Sequence, residues 1–85
     1  MARGTKLYKR HDVPNEAGIY GIVSTDTNGA PITVTVYRVE ENGDVYLLTD
    51  APVSTDDHAR RIIEAQAAVD GIQTDKVHVS HRRRR

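Results

Sequence analysis

From Gly18 onward, apolar and polar residues alternate in three short runs: Gly18 to Thr25, Ile32 to Glu40 and Asp44 to Asp50. Val, Ile, Tyr and Thr dominate these runs, as they do in half-buried strands. Asn28-Gly29 separates the first two runs and Asn42-Gly43 the second two. Each Asn-Gly pair supplies the positive φ angles of a two-residue type I′ turn, so the pattern predicts a three-stranded antiparallel meander. The spacing then becomes helical, with Ala59, Ile62, Ile63, Gln66 and Val69 on one stripe. Ser54 suits the N-cap, Asp56 and Asp57 suit the positive helix end, and Gly71 is a natural stop. Val77 and Val79 alternate with Lys76 and His78, which predicts a short last strand. The expected fold is α+β, in the order β-β-β-α-β. It occupies one small domain over residues 18–80, between an arm or loop at 1–17 and a tail at 81–85.

Two-residue turns would also fix the register, setting Val23 opposite Val34, Tyr20 opposite Tyr37, Tyr37 opposite Leu48 and Val39 opposite Tyr46. One face then carries Ile19, Val23, Ile32, Val34, Val36, Val45 and Leu47, interrupted by Arg38. The other carries Tyr20, Ile22, Thr33, Thr35, Tyr37, Val39, Tyr46 and Leu48. One helix covers one face of such a sheet. The aliphatic face matches the Ile62, Ile63 and Val69 stripe. The remaining face is rich in tyrosine, which offers rigid amphipathic contact area of the kind found at interface centres. Tyr20, Thr33, Thr35, Tyr37, Tyr46 and Leu48 are therefore the candidate partner-docking face. In the competing arrangement, residues 5–17 with Leu7 and Tyr8, or the last strand, fold over it.

Charge adds a second candidate surface. The 85 residues hold 12 Lys and Arg against 12 Asp and Glu, for a formal charge of zero. The distribution is uneven. Residues 1–11 carry Arg3, Lys6, Lys9 and Arg10 with no acid, and residues 76–85 carry Lys76, Arg82, Arg83, Arg84 and Arg85 with none. All the acids lie in between, against only Arg38, Arg60 and Arg61. An acidic body with a basic arm at each end is expected to engage partners through those arms. They can neutralise nucleic-acid phosphates or lie along an acidic protein surface.

The remaining chemistry mainly excludes. With no cysteine there is neither a disulfide nor a thiolate ligand. No run reaches the ~20 apolar residues that span a bilayer, so no membrane partner is expected. The N-terminus leads into no apolar signal-peptide core, so a cytoplasmic protein, or one assembled into a particle, is expected. His11, His58, His78 and His81 lack zinc-ligand spacing, and His78 and His81 should point to opposite faces of a strand. Ser24, Ser54 and Ser80 sit in no nucleophile context, and no Gly-rich phosphate loop precedes a helix. No catalytic, cofactor-binding or metal-binding residue is assigned, and no small-molecule substrate is expected. Gly18-Ile19-Tyr20 resembles the first half of the GIY-YIG nuclease signature, but Ile32-Thr33-Val34 lacks the tyrosine and glycine of the second half, so no nuclease follows. In architecture alone, a βββα unit is similar to the small sheets of integrase arm-binding domains, although the basic sheet face of those domains is missing.

The expected function is a non-catalytic accessory protein acting by protein docking, self-association or assembly. Its small size resembles that of viral and mobile-element components. The alternative is a nucleic-acid-binding accessory that contacts phosphates through Arg3, Lys6, Lys9, Arg10 and Arg82–Arg85. A third reading, an acidic nucleic-acid mimic, sits poorly with those arms.

Overall fold

A computed structural model describes residues 3–8 and 16–84. Three long strands, β2 (Gly18–Thr25), β3 (Pro31–Val39) and β4 (Val45–Pro52), form the expected antiparallel meander. Helix α1 (Asp56–Val69) follows, then one 3-10 turn (Thr74–Lys76) and strand β5 (Val77–Arg83). A short strand, β1 (Thr5–Leu7), precedes them all. The sheet order is β1-β4-β3-β2-β5. β5 runs parallel to β2, so the sheet is mixed. The fold is thus α+β, one helix packed on a five-stranded sheet. Among the described residues no helix is long and apolar enough to cross a membrane.

The helix starts one residue later than Ser54 suggests. Thr55 is the N-cap, its hydroxyl accepting the His58 N–H at 3.0 Å. At the other end Gly71 takes φ 68°, and the N–H groups of Gly71 and Ile72 bond back to the carbonyls of Ala68 and Ala67. That is the glycine-terminated stop expected there. Ala59, Ile63 and Ala67 are the buried helix positions, whereas Val69, assigned to the stripe, is 69% exposed. The helix covers the aliphatic sheet face, where Ile19, Val23, Val34, Val36 and Val53 join those three in one core.

Both hairpin loops are longer than a two-residue turn. In each only the glycine has positive φ, Gly29 at 87° and Gly43 at 91°. Gly29 N–H bonds to Asp26 O and Asp26 N–H to Ala30 O; Gly43 and Glu40 repeat this with Glu40 O and Asp44 O. Each loop is a type I turn followed by a glycine in the left-handed region. Side chains favour it: Asp26 Oδ1 accepts the N–H of Asn28 and of Ala30, and Asn42 Oδ1 accepts that of Asp44.

The longer second loop shifts the adjacent register by one, so Tyr37 pairs with Leu47 and Val39 with Val45. An irregularity at Leu48 restores the expected register, Val36 opposite Thr49 and Thr35 opposite Asp50. A bulge of this kind reverses the alternation on one strand. Val45 and Leu47 therefore face away from the helix and pack with the tyrosines. Leu48 instead packs against the helix-side core, and Tyr46 pairs with Arg38.

Candidate protein interface

The six residues assigned to a docking face do not share one surface. Tyr20 and Tyr37 form a second core with Ile22 and Val39, and are only 7% and 5% exposed. Leu7, Val45 and Leu47 pack against this cluster. The Tyr20 hydroxyl donates to the Glu16 carbonyl at 2.7 Å, and its ring stacks on His78 with centroids 4.8 Å apart. Burial, with the Glu16 charge adding to it, raises the Tyr20 pKa above its ordinary 10.0. Thr33 and Thr35 are half-exposed on the same side, with Thr35 Oγ1 donating to Asp50 Oδ1 at 3.3 Å. Tyr46 and Leu48 belong to the helix side for the reason given above. The N-terminal segment thus supplies packing to this face through Leu7 and an acceptor through Glu16.

The basic residues also take definite positions. Arg3 Nε lies 3.0 Å from Asp70 Oδ1, and its Nη2 donates to Gln66 O at 3.3 Å. Arg38, on the helix side of the sheet, reaches the other Asp70 oxygen at 3.6 Å and Glu40 at 3.5 Å. Lys6 pairs with Asp44 at 3.5 Å. Arg3 and Lys6 of the N-terminal arm thus pair with acids of the chain's own body. Tyr8, beside them, is 94% exposed. Lys9, Arg10 and Arg85 lie outside the described residues.

At the other end, β5 takes in His81, Arg82 and Arg83, which the sequence assigns to a tail. Arg82 pairs with Ser24 and Arg83 with Thr25, and Arg84 N–H bonds to Thr25 O at 2.7 Å. The strand thereby holds Arg82 and Arg83 extended along the sheet. Residues 79–84 are exposed. Side chains alternate: His78, Ser80 and Arg82 share the face of Tyr20, while Val77, Val79, His81 and Arg83 share that of the helix. His81 accordingly reaches Asp56 at 2.9 Å, on the opposite side from His78. Because Arg84 bonds toward β2, alternation turns the backbone groups of His78, Ser80 and Arg82 inward and those of Val79, His81 and Arg83 outward.

Among the described residues no strand pairs with this outer edge. A groove of about 300 Å³ runs between β5 and α1, lined by Arg60, Glu64, Ala67, Ala68, Ile72 and Val79. The small alanines leave that space. The surface the sequence did not single out is therefore a strand edge. Its local signal was the Val77/Val79 alternation, but the pairing with β2 spans most of the chain. Among the described residues no group of three or more His, Asp or Glu side chains could hold a metal ion. Compared with known proteins, the chain matches no family model, no curated protein and no solved structure at a significant level.

Proposed function

We propose that the protein is a non-catalytic docking module that joins a partner by extending its own sheet at β5. The observation that carries this reading is the exposed outer edge of a seven-residue strand, with the backbone groups of Val79, His81 and Arg83 turned outward. An edge of this length is a template for another strand, and strand addition is a recurrent mode of peptide recognition. The buried state of Tyr20 and Tyr37 moves the proposed contact away from the tyrosine face.

The test uses Val79→Pro, which removes an outward N–H and leaves the bonds to β2 in place. A tagged chain isolated from its own cells in the presence of nuclease should recover a stoichiometric protein partner, and Val79→Pro should lose it. A partner indifferent to that substitution, or recovery of nucleic acid alone, contradicts the reading.

A second reading is favoured by a separate observation. Ser24, Thr33 and Ser80 place hydroxyls beside Arg82 on one face, next to Arg83 and Arg84. Hydroxyls and arginines together suit phosphate contacts. Single-stranded DNA affinity falling with a log-log salt slope of about −3 or steeper would support it.

A further inference from the structure

We infer that the strand accepted by β5 is an extended acidic–apolar segment of another protein, its apolar side chains entering the α1/β5 groove and its carboxylates meeting Arg83 and Arg84. This rests on the docking reading above and names the partner's chemistry.

Three observations carry it. The first is continuity between edge and groove. Val77 and Val79 are the helix-side residues of β5 and also line the groove. A strand added about 4.8 Å beyond β5 directs every second side chain to that same side. Those side chains meet Ala67, Ala68 and Ile72, with Arg60, Glu64 and Thr74 also lining the groove. The apolar part of that lining favours a mainly apolar face on the incoming strand, and alternation leaves its other face free to be polar.

The second is charge. Lys76 and Arg82–Arg85 make the last ten residues +5 with no acid. Residues directly across a strand pair feel like charges as repulsion and opposite charges as attraction. An acidic strand meets that condition along the Arg83–Arg84 end.

The third is the exclusion of self-pairing. Two β5 strands paired antiparallel about Ser80 would set Arg82 of each copy against His78 of the other and bring Arg84, just beyond the strand, toward Lys76, just before it, in the other copy. Cations on an edge strand deter such self-association. The same cations admit a partner of opposite sign, so the edge discriminates by charge as well as by shape.

The experiment uses the full chain and two labelled peptides of eight residues, both alternating valine and threonine. One ends in two glutamates and the other in two lysines. The glutamate peptide should bind at least about tenfold more tightly, the size of effect that charge complementarity gives. The double variant Arg83→Glu, Arg84→Glu should reverse the preference. Ala68→Trp, which fills the groove from an exposed helix position, should weaken both peptides. Val79→Pro separates the two levels of the argument. If both peptides bind equally and Val79→Pro abolishes both, the edge docks strands and the acidic-partner inference is wrong. If neither peptide binds, or if an oligothymidine of 12 nucleotides binds more tightly and displaces the glutamate peptide, the inference is likewise overturned, the latter in favour of phosphate recognition.

Discussion

Ile63 occupies the space that a β-carbon on Gly21 would need: its Cδ1 and Cγ1 would overlap that atom. Glycine in the middle of a strand here lets the helix sit directly on the sheet. Ile63 is fully buried, so its side chain has nowhere to retreat. Gly21→Ala should therefore destabilise the fold by about 1–3 kcal/mol, the cost of overpacking a filled core. Adding Ile63→Val should return part of that loss. Chemical denaturation of the single and double variants measures both, and a fully additive pair would contradict the contact.

Asp70 caps the C-terminal end of α1, where a negative charge opposes the helix dipole. Two arginines answer it: Arg3 comes from 67 residues away and Arg38 from the sheet. The Asp70 side chain is 5% exposed, whereas Arg3 is 35% exposed. Asp70→Ala should thus cost more than Arg3→Ala, about 1–3 kcal/mol, because it strands both guanidiniums beside a closed helix end. A double-mutant cycle on Arg3 and Asp70 should give a coupling above about 0.5 kcal/mol. A coupling of zero would make the Arg3 contact incidental.

The raised pKa of Tyr20 has a pH consequence. The neutral phenol is favoured in the fold over the unfolded chain, so its contribution is fully present below pH 10.0. It is lost as pH rises through the higher folded value. Stability should fall in that alkaline window, and Tyr20→Phe should flatten the fall. The same variant forfeits the bond to Glu16 O, worth about 0.5–1.5 kcal/mol at neutral pH. Equal alkaline slopes in both proteins would assign the effect elsewhere.

Two tyrosines that look alike in the sequence should behave differently. Tyr37→Ala empties a 5% exposed site and should cost about 3–5 kcal/mol, as other large-to-small aromatic truncations do. Tyr46 is half-exposed on the opposite face, and Tyr46→Ala should cost clearly less. Thermal melting ranks them, and the reverse order would contradict the register assigned to β4.

The different faces of Tyr37 and Tyr46 show what local sequence can carry. Asn-Gly marks a hairpin in either a two-residue or a type I plus glycine loop, and the letters do not distinguish them. The first hairpin kept its expected pairing, with Val23 opposite Val34 and Tyr20 opposite Tyr37, because its irregularity falls at the loop end. In the second the compensating bulge sits at Leu48, so the faces of Tyr46 and Leu48 were exchanged. The β-β-β-α-β order, the helix stop at Gly71 and the choice of sheet face were all legible from periodicity and turn chemistry. β1 was not, because three residues carry no period. The candidate interface was hidden for a different reason. Arg82 and Arg83 read locally as a charged tail, and only their pairing with Ser24 and Thr25 makes them a strand.

The central claim is that the outer edge of β5 is an open docking strip, and amide hydrogen exchange tests it residue by residue. In the unbound protein, His78, Ser80 and Arg82 should exchange slowly because their N–H groups face β2, while Val79, His81 and Arg83 should exchange fast. Addition of the glutamate-ended peptide should protect Val79, His81 and Arg83 and leave the inward set as it was. Protection of the outward set before any peptide is added, or no gain when it is bound, would contradict the account.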